Sequence, residues 1–169
     1  MGSGKTFVGK ALAQLSGFSF VDTDDLIEKK AGNSISDIFS QKGEDHFRKL
    51  ESEICRELPA LTGTVIATGG GIIQKKENRE LLRQAGQVYF LESSIDHILN
   101  RIGNDKNRPL LNQKTKREKD LSQYERMHAL LTTRAPLYKQ TAHDSINSDI
   151  ANIQEIAETI WTLYSSTIK

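Results

Sequence analysis

Apolar positions along the chain fall into two alternating kinds of segment. Short runs at Phe18–Val21, Thr64–Ala67, Gln87–Leu91 and His143–Asn147 are four or five residues long, and several are continuously apolar. That pattern predicts strands covered on both faces rather than strands with one wet side. Between them lie longer stretches whose apolar residues recur three and four positions apart: Lys5–Leu15, Asp25–Ala31, Ile35–Gln41, Glu44–Leu58, Glu77–Ala85, Ile95–Arg101, Leu121–Thr133 and Ile153–Tyr164. These predict amphipathic helices, and Gly17, Gly32, Gly43, Gly63 and Gly86 stand at their ends or junctions, where helices commonly stop. Strand and helix in alternation predict an α/β protein with a mostly parallel sheet. Two regions break the rhythm. Residues 25–58 insert several helices between two strands, too much for a plain crossover and suited to a substrate-binding subdomain. Residues 103–120 are dense in Lys, Arg, Asn, Gln and Asp with little apolar periodicity, and read as a mobile polar loop.

Composition narrows the class. A chain of 169 residues is one domain, 1–169, with room for a substantial core. Lys and Arg number 23 against 22 Asp and Glu, a net charge of +1. No global field therefore favours nucleic acid or an acidic membrane, and no basic stripe with interleaved aromatics suggests a nucleic-acid partner. Cys55 stands alone, which rules out an intramolecular disulfide and fits a reducing compartment. His46, His97, His128 and His143 lack metal-ligand spacing. No apolar run approaches the ~18 residues of a membrane span, and no signal-peptide pattern opens the chain. The expectation is a soluble cytoplasmic protein.

The chemistry begins at the first residues. Met1-Gly2-Ser3-Gly4-Lys5-Thr6 is the second half of a phosphate-binding loop, whose full pattern is Gly, four residues, then Gly-Lys-Ser/Thr. Gly2 and Gly4 let backbone N–H groups turn toward a phosphate, Lys5 adds a charge, and the Thr6 hydroxyl suits Mg²⁺; the helix that follows points its N-terminal dipole at the anion. A glycine-serine turn that happens to precede a helix is the plainer alternative. Asp22-Thr23-Asp24 ends the first predicted strand, and ligands of open parallel sheets collect beyond such ends. If the strand continues, period-2 spacing puts both carboxylates on one side, one for Mg²⁺ or its water and one for a hydroxyl proton; otherwise Thr23 or Asp24 caps a helix. Phe39 and Phe47 supply apolar walls or ordinary core. Arg48 either pairs with Glu51 at i,i+3 on the surface or grips a substrate carboxylate, and spacing does not choose. Gly69-Gly70-Gly71 after Thr68 exceeds what a turn needs, and predicts close approach of backbone to ligand with torsions closed to other residues. Arg108-Pro109-Leu110-Leu111 lies in the polar loop, and Arg134-Ala135-Pro136-Leu137-Tyr138 ends the helix after it. A loop arginine closing over a nucleotide would neutralise phosphate charge.

Taken in order, Gly-Ser-Gly-Lys-Thr, Asp22-Thr23-Asp24, Phe47-Arg48, Gly69-Gly70-Gly71, Arg108-Pro109-Leu110-Leu111 and Arg134-Ala135-Pro136-Leu137-Tyr138 closely resemble the shikimate kinase family over essentially the whole chain. The resemblance implies a P-loop, nucleoside-monophosphate-kinase-like three-layer fold: a five-stranded parallel sheet between helices, with residues 25–58 as substrate subdomain and 103–120 as lid. It implies transfer of the ATP γ-phosphoryl group to the 3-hydroxyl of shikimate, in aromatic amino-acid biosynthesis, by a monomer. It also implies roles. Gly2, Ser3, Gly4, Lys5 and Thr6 hold ATP, Lys5 in contact with the phosphates and Thr6 as a ligand of Mg²⁺, which Asp22 supports through water. Asp24 holds shikimate hydroxyls and acts as base. Arg48 and Arg134 bind the shikimate carboxylate beside Gly69, Gly70 and Gly71, with Gly70 as the backbone contact. Arg108 reaches ATP from the lid and Arg101 packs on adenine. Asn147-Ser148-Asp149 resembles an adenine loop, and Ala151 stands where relatives carry polar or basic side chains.

One departure is large. The family's first strand, central to its sheet, and the loop's first glycine precede the position of Met1, so roughly ten residues of the pattern fall outside this chain. Either translation starts further upstream, or the short chain folds as it stands with weak or absent activity. A gluconate-kinase-like enzyme of the same fold and a catalytically silent nucleotide-binding module are the competing readings.

Overall fold

The computed structural model describes residues 2–102 and 122–168. In chain order these form α1 (Lys5–Ser16), β1 (Ser19–Asp22), α2 (Thr23–Ala31), α3 (Ile35–Glu57), β2 (Thr64–Ala67), α4 (Lys76–Ala85), β3 (Tyr89–Glu92), α5 (Ile95–Ile102), α6 (Gln123–Thr141), β4 (Asp144–Asn147) and α7 (Ile153–Thr167). The polar segment 103–120, Arg108 included, lies outside the described residues.

Pairing is parallel throughout. β1 lies beside β2 in the register Ser19↔Thr64 to Asp22↔Ala67, and β3 beside β4 from Tyr89↔Asp144 to Glu92↔Asn147. Among the described residues these are two separate two-stranded sheets, with β2 and β3 unpaired to one another. The alternation of apolar runs thus foretold each strand and its direction. It did not foretell this division, because strand pairing depends on which edges meet in space.

The helices between β1 and β2 carry most of the core. Ile27, Ile38, Phe39, Phe47, Ile54, Leu58 and Ile72 pack into one buried cluster, with the Phe39 and Phe47 ring centroids 4.7 Å apart. α3 bends at Gly43, whose φ of 80° interrupts the helix where two helices were expected; a left-handed φ costs glycine least. A second cluster joins α1 to α7 through Val8, Leu91, Ile156 and Ile160. Burial pushes the Cys55 thiol up to about 12, so it is an inert core residue.

One boundary differs from expectation. Arg134 to Tyr138 do not end a helix: α6 continues through Pro136 to Thr141. Proline there removes a hydrogen bond and costs about 3 kcal/mol, but Leu137 and Tyr138 pack on the main core and Tyr138 stacks on Phe90 at 4.9 Å. That packing keeps the turn helical. No helix among the described residues is long and apolar enough to cross a membrane.

Candidate active site

A cavity of about 780 Å³ opens where the carboxyl ends of β1 and β2 meet the start of α1, which is the size of a small-molecule site. Gly2 to Thr6, Asp22, Asp24, Arg48, Gly69 to Gly71, Arg101 and Arg134 all line it, with Phe39 and Phe47 as apolar wall. Every candidate residue inside the described part of the chain therefore faces one space.

At its phosphate end, Gly2 (φ 68°) and Gly4 (φ 85°) are left-handed. The first turn of α1 has no side-chain cap, so its N–H groups are available to an anion. Lys5 Nζ lies 3.4 Å from Ser3 Oγ. Thr6 Oγ1 donates to Asp22 Oδ2 at 2.9 Å, while Asp22 Oδ1 accepts the Asp24 N–H at 3.0 Å and caps α2. The strand ends at Asp22, so the two carboxylates do not share a strand face. Instead the cap fixes Asp22, rather than Thr23 or Asp24, as the N-terminal residue of the turn, and Asp24 sits in the first helical turn. The donor set suits Mg²⁺: a hydroxyl and a carboxylate oxygen stand as close as neighbouring ligands of an octahedral ion, about 2.9 Å. Among the described residues no group of three or more His, Cys, Asp or Glu is placed to hold a metal.

At the opposite end Arg48 is clamped by two carboxylates. Its Nη1 donates to Glu51 Oε2 at 2.5 Å, and its Nη2 and Nε donate to Glu44 Oε1 at 2.8 and 3.1 Å. The i,i+3 partner is no surface pair, because Glu51 is 2 % exposed. Burial pushes the Glu51 carboxyl above its ordinary value and the nearby Asp24 charge adds to this, while the Arg48 and Arg134 guanidiniums oppose it. Arg134 is also buried. With its amide oxygen facing the two arginines, Gln74 accepts from Arg48 Nη2 at 3.1 Å and Arg134 Nη2 at 3.2 Å. Two guanidiniums on different helices thus reach a single oxygen.

The glycine run serves space more than torsion. Gly71 has an ordinary backbone, φ −92° and ψ −14°, and none of Gly69 to Gly71 has a positive φ, contrary to the expectation of special torsions. A Cβ on Gly71 would lie 2.1 Å from Arg48 Nη1, and one on Gly69 2.6 Å from Asp24 Oδ1. The backbone passes directly against both side chains. Gly71→Ala is accordingly expected to displace the Arg48 guanidinium and weaken binding of a carboxylate ligand about tenfold or more, since one arm of a charge-assisted grip is lost; titration calorimetry with that ligand checks it.

The remaining candidates lie at the far rim. Arg101 Nη2 donates to Ser148 O at 2.8 Å, and its Nη1 lies 3.8 Å from where a Gly4 Cβ would stand. Asp149 anchors that rim, taking hydrogen bonds from Ser93 Oγ at 2.5 Å and Ser94 N–H at 2.7 Å, with His97 Nδ1 at 2.9 Å. Burial would raise its pKa, but the hydrogen bonds from Ser93, Ser94 and His97 outweigh that and hold it well below the usual carboxylate range. A folded pKa below the unfolded one stabilises the fold above the ordinary value of 3.8 and loses that contribution as pH falls. The thermal midpoint is expected to drop below about pH 4, and to drop less steeply in Asp149→Asn; melting curves across pH 2–6 test this.

Sequence reasoning missed Gln74 altogether, left Glu51 as a surface partner, and gave Tyr138 no role. Only the burial of Glu51 and the return of the chain after Gly71 reveal them.

A profile of the family described as Shikimate kinase matches residues 1–164. The chain is 40% identical over 157 residues to a shikimate kinase of Actinobacillus pleuropneumoniae, covering 93% of this chain and 87% of that one. It is likewise 40% identical to one from Acinetobacter baumannii, with 98% and 88% covered. The chain belongs to the shikimate kinase family. Among solved shikimate kinases, one from Acinetobacter baumannii in complex with shikimate superposes with a TM-score of 0.91 at 39% identity, covering 99% of this chain and 89% of that one. A second, from Bacteroides thetaiotaomicron, gives 0.84 at 29% identity with 98% and 94% covered. Shikimate kinases at this similarity establish the P-loop nucleoside-monophosphate-kinase-like α/β fold.

Proposed function

We propose that this chain transfers the γ-phosphoryl group of ATP to the 3-hydroxyl of shikimate. The observation that carries the reading is the convergence of Arg48 and Arg134 on one oxygen in the same cavity as Lys5, Thr6, Asp22 and Asp24. A small acid gripped at one end presents a hydroxyl toward the phosphate loop at the other.

Phosphoryl transfer asks for alignment and charge neutralisation more than for covalent chemistry. In this reading Lys5 and the N–H groups opening α1 receive the phosphates. Asp24 orients the attacking hydroxyl and accepts its proton as the new O–P bond forms and the bond to the departing diphosphate breaks. Arg48, held by Glu44 and Glu51, and Arg134 fix the ring through its carboxylate, with the Gly69 to Gly71 backbone beneath it. Arg101 packs against the adenine. Mg²⁺, when bound, supplies charge neutralisation at the phosphates, and Thr6 with Asp22 would hold it.

We further read residues 25–58 as the substrate subdomain, and residues 103–120 with Arg108 as the lid that excludes water. The same reading gives a cytoplasmic monomer without nucleic-acid partners. A fifth parallel strand is proposed between β2 and β3, joining the two sheets. ADP release coupled to a colorimetric readout tests the activity. Release that depends on shikimate supports it; release with gluconate but not shikimate, or ATP binding with neither, overturns it.

A further inference from the structure

We propose that Tyr138 is a positioning residue for shikimate, acting through the peptide that follows Gly70. The inference deepens the substrate assignment above and rests on it. Tyr138 Oη donates to the Gly70 carbonyl at 2.5 Å, and the Arg134 guanidinium lies close enough to act on it electrostatically. Its ring is held in place by stacking on Phe90 of β3, centroids 4.9 Å apart and planes 24° from parallel. Burial raises the Tyr138 pKa most strongly, with the nearby Arg134 charge working against that; the phenol therefore keeps its proton and remains a donor at neutral pH.

The consequence follows from peptide geometry. In a trans peptide the C=O and the next N–H point in opposite directions within one plane, and no cis peptide occurs among the described residues. The Gly69 carbonyl is fixed by the Ile72 N–H at 3.3 Å, and the Gly70 carbonyl by Tyr138. Both anchors lie on the protein side. They turn the Gly70 and Gly71 N–H groups the other way, and neither group meets an acceptor among the described residues. Glycine is the residue least able to hold a peptide plane by itself, so the Gly70–Gly71 plane depends on the Tyr138 hydroxyl. The same hydroxyl lies within the field of the Arg134 guanidinium, so the backbone floor and one of the two guanidiniums share a neighbour.

Tyr138→Phe isolates this role, because it keeps the ring and its stacking on Phe90 and removes only the hydroxyl. The expected result is a rise of about tenfold in KM and in the calorimetric Kd for shikimate, the usual worth of one lost hydrogen bond to a bound group. KM for ATP should stay within about twofold, since the phosphate loop is untouched. An unchanged shikimate Kd in the variant overturns the proposal. So does a parallel loss of shikimate and ATP affinity accompanied by a lowered melting temperature, which marks a purely structural tyrosine. The unsubstituted chain measured alongside separates the two levels: if it binds no shikimate the substrate assignment itself falls, and if it binds shikimate as Y138F does, only the role of Tyr138 falls.

Discussion

Asp24→Asn is expected to lower kcat by about a hundredfold to ten-thousandfold, the range that a positioned general base contributes, with KM for ATP nearly unchanged. Asp24 lies two residues beyond the capping residue, its N–H bonded to Asp22, and Gly69 passes against its Oδ1 so closely that a Cβ there would stand at 2.6 Å. The helix start and the glycine backbone together fix the carboxylate at the junction of the two ends of the cavity. Asparagine fills the same volume and keeps the cap, which is made by Asp22 and not by Asp24. What it removes is the basic oxygen that takes the hydroxyl proton. The phosphate end is served by other residues, Lys5, Thr6 and the N–H groups of α1, so nucleotide affinity has no reason to fall. Steady-state kinetics with both substrates varied checks the split, and turnover equal to the unsubstituted enzyme would remove Asp24 from the chemistry.

How far the sequence foretold this site depends on how local each signal is. The glycines and lysine that open α1 and the carboxylates at the end of β1 are local patterns, legible as a phosphate loop and a strand end, though whether Asp22 continued the strand or capped a helix was left open. Helix and strand periods were legible for the same reason: the continuous apolar runs became β1 to β4 within two residues of the expected limits. Non-local facts were not legible. The i,i+3 spacing of Arg48 and Glu51 is the same on a wet helix face as on a buried one, and only the tertiary packing shows that Glu51 is buried. The glycine run announced close approach to a ligand, whereas the groups packed against it here are the Asp24 and Arg48 side chains, which come from helices far away in sequence. Pro136 suggested a helix end because local preference disfavours proline there; tertiary packing of Leu137 and Tyr138 overrode it. Gln74 gave no signal at all, as a lone glutamine after a glycine run has none to give.

Adding an apolar strand ahead of Met1, ending in glycine two positions before it, is expected to raise the melting temperature by about 10 °C or more over residues 1–169 alone. Among the described residues β2 and β3 each pair on one side, and the other edge of each presents backbone groups that a strand can satisfy. A cavity of about 90 Å³ borders β3 through Tyr89 to Leu91 and the segment that follows β2 through Thr68 to Gly70. A central strand of about five residues would form ladder bonds on both edges, each worth about 1 kcal/mol net, and would bury apolar side chains worth about 1.5–3 kcal/mol apiece. Ordering it costs about 1–2 kcal/mol per residue in backbone entropy. The balance favours the strand by several kcal/mol, and at about 2–4 °C per kcal/mol for a domain of this size the shift is readily seen. The added glycine would also complete the loop before Gly4, so tighter ADP binding should accompany the higher melting temperature. Calorimetric melting and ADP titration of the two chains side by side provide the test. Equal melting temperatures would mean that β2 and β3 do not accept a strand between them, and the single five-stranded sheet would have to be abandoned.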